Sequence, residues 1–351
     1  MELTLKERNN RGESGNATFA LPRRFKRQLE DVLVRSARIS QGHRPWSNYW
    51  LEELSIDESI KDLVSPIEFD LEDFLFSVMD LRLKDRHWRQ IKRALVYSAF
   101  MHKDQIRSRE KLPYLVHILR VSRRVADFLM RLHEEGIKMN SAKKRDLIIS
   151  ALLHDSVEDH ALSIVRYGFD MSVHVSNSCA RGLALDVVER HFGSAVRLWV
   201  STLSKPLWEK DNDKEKQESY QEWIRHIWQD GDFENTIIKL ADIFDNLDST
   251  LKDLKDIAER KMRYGRLSKE DIAAKRKNNE LVIKYLSILL ALKENYSRWI
   301  SNEVLKNEAI MNMVLEAIDK RKRAADNYFS VHGLKDRDLL EHLRKFQEAC
   351  K

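Results

Sequence analysis

Cysteine is nearly absent: Cys179 and Cys350 are the only two in 351 residues. They are too few and too far apart for a disulfide framework or a thiolate zinc cluster, and fit a reducing compartment, with the cytoplasm as the expected location. Glycine and proline are also scarce, at 10 and 5 residues, while Leu, Lys, Glu, Arg and Ala abound. Few tight turns and many helices follow, so the chain is expected to be all-α. Long apolar runs are missing too. The longest, 286–292 with Ser287 inside it, falls far short of the roughly 20 residues a helix needs to span a bilayer. Residues 1–15 are polar and lack the apolar stretch of a signal peptide, so neither secretion nor a membrane partner is expected.

Charge of one sign is likewise in small excess. The formal charge is +6, from 62 basic and 56 acidic residues that together make up 34% of the chain and alternate in sign almost everywhere. No basic run carries the interleaved aromatics of a stacking platform, so a nucleic-acid partner is not expected. A basic pocket for an anionic small molecule uses the excess better.

The pattern divides the chain into three parts. Residues 1–85 read as a polar leader followed by accessory helices, with apolar residues at helical spacing (Phe25, Leu29, Val32, Leu33) and breaks near Pro45 and Pro66. Residues 86–265 hold every chemical motif, and 266–351 read as a C-terminal helical tail opened by Ser268 with Asp271 three residues on. Within the middle part, Ile91, Leu95 and Ala99 predict a helix over 88–102. A second helix, opened by Pro113, runs to a stop at Gly136 and carries His117 near its start on an apolar face. Broken periodicity over 167–182 predicts a loop able to act as a lid, alternating charges over 209–216 a mobile stretch, and 229–232 a turn. Lys320, Arg321, Lys322 and Arg323 read as a solvated helix face. The flanking helices leave room for a protein partner or for self-association.

Three strings carry chemistry. His154-Asp155 is set among Ile149, Leu152, Leu153 and Val157, where an uncompensated carboxylate is costly. The pair reads as part of a helix interior, and Glu158 and Asp159, three and four residues after Asp155, fall on its face of that helix. His117 and Asp242 are weak signals alone, a core histidine and a helix-surface acid. Together, His117, His154, Asp155 and Asp242 supply the neutral imidazoles and carboxylates with which a divalent ion polarises a phosphoryl oxygen. Asn246, four residues after Asp242, can orient substrate, whereas Lys239 and Asp245 fit a solvated face as well as a functional one.

In order along the chain stand His102 with Gln105-Ile106-Arg107, Pro113-Tyr114 before His117, Leu152-Leu153-His154-Asp155 with Glu158-Asp159, His191-Phe192-Gly193, and Lys239-Leu240-Ala241-Asp242 with Asn246. This series resembles the HD-domain superfamily, and within it the hydrolase domain of RelA/SpoT-type guanosine tetraphosphate enzymes, over about residues 90–255. The resemblance implies a helical bundle around a manganese ion held by His117, His154, Asp155 and Asp242. It further implies that Glu158 and Asp159 steer or deprotonate the attacking water and that Arg107 and Asn246 contact the nucleotide. The implied reaction removes the 3′-pyrophosphate of guanosine penta- or tetraphosphate. The chain departs from the family pattern at Ile118, where proline is usual, and at Asp242-Ile243-Phe244-Asp245-Asn246, which lacks the usual Arg and His of that segment. One inserted residue before Pro113 makes Arg109 a rival of Arg107. Two alternatives stand beside this expectation: an HD nucleotidase acting on nucleoside mono- or triphosphates, and a non-catalytic nucleotide-sensing or interaction protein.

Overall fold

Helix boundaries fall where capping residues stand. The side chains of Asn140, Ser176 and Ser268 accept the backbone N–H groups of Lys143, Cys179 and Asp271 and so start three helices. Gly265 (φ 70°) sits in the left-handed region that closes the longest one, and Gly193 (φ 98°) turns the chain between two others. The computed structural model describes residues 68–107, 110–169, 176–206, 213–229, 232–300 and 302–332. The leader, the start of the accessory helices and the last 19 residues lie outside them.

Among the described residues the chain is all-α. Helices α1 (Glu68–Asp80), α2 (Asp85–Met101), α3 (Leu115–Glu134), α4 (Ser141–Leu153) and α5 (Ser156–Phe169) lead into α6 (Asn177–Phe192), α7 (Ser194–Leu203) and α8 (Asp213–Gln229). The 32-residue α9 (Phe233–Tyr264) is followed by α10 (Lys269–Glu294), two short helices α11 (Tyr296–Trp299) and α12 (Glu303–Lys306), and α13 (Glu308–His332). One isolated bridge, Ile106 to Pro113, pins the loop between α2 and α3. No helix among the described residues is long and apolar enough to cross a membrane.

A single cluster of buried apolar side chains runs from Leu71 to Phe329. On α3, Val116, Ile118, Leu119, Val121, Val125, Leu129 and Leu132 are buried, each contributing about 1.5–3 kcal/mol. That burial offsets the cost of drawing His117 into the same face. Helix α9 packs against α3 on one side and α10 on another, so the C-terminal helices share the core of the middle part.

Four local expectations are corrected. Helix α6 already starts at Asn177, under the Ser176 cap, and α5 continues to Phe169, so the loop over 167–182 is much shorter than its pattern indicates; residues 170–175 lie outside those described. Helix α8 begins at Asp213, inside the stretch of alternating charges. Arg321 is buried, donating to Asp248 and lying 3.8 Å over the Phe244 ring, so the basic run on α13 is not wholly a solvated face. Finally, His154 and Asp155 form a turn between α4 and α5 and do not lie inside one helix. The His154 Nδ1 takes the Ala151 carbonyl at 2.8 Å, the oxygen that a continuing helix would pair with the Asp155 amide.

Candidate metal centre

Three elements meet at the centre: the start of α3, the α4–α5 turn and the second and third turns of α9. The α2–α3 loop sets the first of these. Arg107 N–H donates to the Leu112 carbonyl and Tyr114 N–H to that of Gln105, both at 2.8 Å, which brings Tyr114 and His117 over the α4–α5 turn.

Each buried histidine has one ring nitrogen fixed and the other turned inward. His117 Nδ1 is bound to Asp245 Oδ2 at 2.8 Å, and His154 Nδ1 to the backbone. Their Nε2 atoms face Asp155 Oδ2 at 3.5 and 3.1 Å, and His117 Nε2 lies 3.3 Å from Asp242 Oδ1. His117, His154 and Asp242 each place a ligand atom within 4.8 Å of the others'. The His154 Nε2 is buried and makes no hydrogen bond. A buried imidazole nitrogen that lies 3.1 Å from the Asp155 carboxylate without an aligned hydrogen bond is costly unless a cation completes it, and imidazoles oriented through their other nitrogen are the usual ligand arrangement. The donor set therefore could hold a metal ion.

The carboxylates are held ionised from several sides. Asp155 Oδ2 accepts from the Tyr114 hydroxyl at 2.6 Å, while Asp242 accepts from Lys239 Nζ at 2.8 Å and Asn246 Nδ2 at 2.6 Å. Burial raises both acids, but His154 and His117 beside Asp155, and Lys239 and His117 beside Asp242, hold them well below the usual range. Burial and the Arg107 cation push His117 down, and the surrounding carboxylates outweigh them and lift it to about 10. Asp245 settles at about 2, with His117 and Arg107 overcoming its burial.

Glu158 lies in the first turn of α5, and its Oε2 accepts the Lys205 backbone N–H at 2.7 Å. Burial first, then the Asp155 charge, raises it above an ordinary glutamate, the shift a proton acceptor needs. It lines a pocket of about 430 Å³ with Asp155, Asp242, Arg107 and Asn246, walled by Lys205, Lys239 and Lys284. Tyr220, Trp223 and Tyr285 complete the wall; Lys239 Nζ lies 4.6 Å over Trp223 and Lys284 Nζ 3.8 Å over Tyr220.

The sequence-derived residues are thus largely brought together. His117, His154, Asp155 and Asp242 converge, and Glu158 joins them at the pocket. Asp159 points elsewhere, accepting from Gln105 Nε2 at 2.9 Å. Arg107 and Asn246 bond each other at 2.9 Å, and Arg107 also donates to Glu110, Asp245 and Ser249. Ser108 and its neighbour Arg109, the rival phosphate contact, lie outside the described residues. Lys239 and Asp245 are both buried, which removes their solvated-face reading. Tyr114, Lys205, Tyr220, Trp223, Lys284 and Tyr285 were not singled out for the site, and only Tyr114, following Pro113 in the quoted series, carried a signal. No family model and no curated protein matches this chain.

Proposed function

We propose that the chain is an HD-type metal-dependent phosphohydrolase that uses Mn²⁺ and acts on a nucleotide pyrophosphate, with the 3′-pyrophosphate of guanosine tetra- or pentaphosphate as its substrate. The observation that carries this reading is the orphaned Nε2 of His154, facing Asp155 and grouped with His117 and Asp242 beside a pocket walled by three lysines. The ordered motif series that resembles the RelA/SpoT-type hydrolase domain supports the substrate.

His117, His154, Asp155 and Asp242 would hold the dication, whose bound charge would supply Lewis-acid polarisation of a phosphoryl oxygen and of the attacking water. The protein's own groups do the rest. Glu158, raised and at the pocket wall, takes the proton of the water. Lys205 and Lys284 meet the phosphate charge, and positioned cations stabilise phosphoryl transfer more than covalent chemistry does. Tyr220, Trp223 and Tyr285 offer ring faces to a nucleobase.

The test is incubation of the purified chain and Mn²⁺ with guanosine tetraphosphate, GTP and GMP. Release of pyrophosphate and GDP from the first alone, abolished by EDTA, is the expected result. Hydrolysis of GTP or GMP alone moves the chain to the nucleotidase reading, and turnover of none overturns the enzymatic one.

A further inference from the structure

A second convergence of metal-ligating groups stands apart from the four residues above. His102 is the C-cap of α2, and Asp159, in the first turn of α5, is followed directly by His160. The backbone of α5 leaves helical geometry at His160 (φ −130°, ψ 22°). There the His160 Nε2 lies 3.1 Å from the His102 Nδ1, with the ring planes at 79°. Both nitrogens reach the same oxygen, Gln105 Oε1, at 2.6 Å from His102 and 3.2 Å from His160. The Gln105 amide nitrogen holds the Asp159 carboxylate beside them, and His102, Asp159 and His160 each bring a ligand atom within 4.8 Å of the others'.

Capping this amide oxygen takes one imidazole; two on one oxygen, with a carboxylate adjacent, form a donor set of two nitrogens and two oxygens. Nitrogens bound at 2.0–2.1 Å to a tetrahedral ion stand about 3.3 Å apart, close to the observed spacing. The other His102 nitrogen lies 3.4 Å from Ser156 Oγ, and its ring stacks on Tyr114 with centroids 5.0 Å apart. Support of this kind fixes the orientation of a ligating ring.

We propose that His102 Nδ1, His160 Nε2 and an Asp159 oxygen, completed by Gln105 Oε1, form a second cation site, for a first-row dication of the imidazole-preferring kind such as Zn²⁺ or Co²⁺. The ion fastens the end of α2 to the first half of α5, at the edge of the pocket that Gln105 helps to line. Asp159 then serves this ion, and Glu158 is left as the carboxylate that faces the substrate pocket from α5.

The full chain, stripped with EDTA, reloaded with Co²⁺ and dialysed, gives the test through cobalt content and the visible absorption of nitrogen-ligated Co²⁺. Two ions per chain are expected in the natural protein, and one in His160→Gln and in Asp159→Asn, with the far-UV circular dichroism unchanged. The half-buried His160 and the exposed Asp159 make both variants tolerable to the fold, and either alone suffices if the other fails to fold. No ion in the natural chain, or a cobalt content as high in these variants as in the natural chain, overturns the second site, whereas one ion in the natural chain that both variants lose removes the first centre and leaves the second.

Discussion

Asp245 Oδ2 is 2.8 Å from His117 Nδ1 and 2.9 Å from an Arg107 guanidinium nitrogen. A single carboxylate oxygen thereby orients a candidate metal ligand and neutralises a buried cation. The two roles separate by substitution. Asp245→Ala leaves Arg107 buried with its charge less well compensated and is expected to cost about 3–5 kcal/mol, while weakening Mn²⁺ affinity about 10–100-fold through the loosened ring. Asp245→Asn still offers an oxygen to the Nδ1 hydrogen, so its affinity loss is the smaller one. Thermal denaturation and calorimetric Mn²⁺ titration read the two effects, and an unchanged affinity in Asp245→Ala rules out the orienting role.

If the proposed reaction holds, substitution of Glu158 separates binding from turnover. Glu158→Gln keeps the volume and the oxygen that receives the Lys205 N–H but removes the proton acceptor. Hydrolysis is expected to fall by about 10²–10⁴-fold, with Mn²⁺ binding and melting temperature nearly unchanged. Full activity in this variant would assign the proton to another group.

How far the sequence discloses this arrangement depends on the range over which each signal acts. The all-α class follows from scarce glycine and proline, and the start of α10 from Ser268 and Asp271, because propensity and capping are local. His154-Asp155 stood out since its apolar neighbours make an uncompensated acid costly. The break between α4 and α5 did not, because an imidazole competing for the Ala151 carbonyl leaves no pattern in apolar spacing. Asp245 lies three residues after Asp242, and its burial depends on Arg107, 138 positions away in the chain. Lys284 and Tyr285 reach the pocket only because α10 folds back along α9, a tertiary fact with no periodic trace.

Lys284 tests that contribution. Removing its charge from the pocket wall in Lys284→Ala is expected to raise KM for a substrate with several phosphates about tenfold, the equivalent of about 1.4 kcal/mol, with kcat reduced less. The loss should shrink as salt is raised, since screening already weakens the contact in the natural chain. Steady-state kinetics at two ionic strengths decide it, and a KM unaltered at low salt excludes Lys284 from substrate binding.

Away from the centre, His191 gives the fold an acid-sensitive joint between α2 and α6. Its Nδ1 accepts from Arg93 at 2.6 Å, and burial, then Arg93 and Arg190, depress the ring to about 4. Protonation would place a hydrogen where the guanidinium already donates. Because the folded value lies below the unfolded 6.5, the stabilisation is complete above pH 6.5 and is lost progressively as pH falls towards 4. Discounted for the partial exposure of the ring, the loss is about 1 kcal/mol, or a few degrees of melting temperature. His191→Gln keeps an acceptor for Arg93 and does not titrate, so in EDTA its melting temperature should fall less steeply between pH 7 and 4 than that of the natural chain. Parallel curves would show that His191 charges equally well in the folded and unfolded states, and that its contact with Arg93 does not oppose protonation.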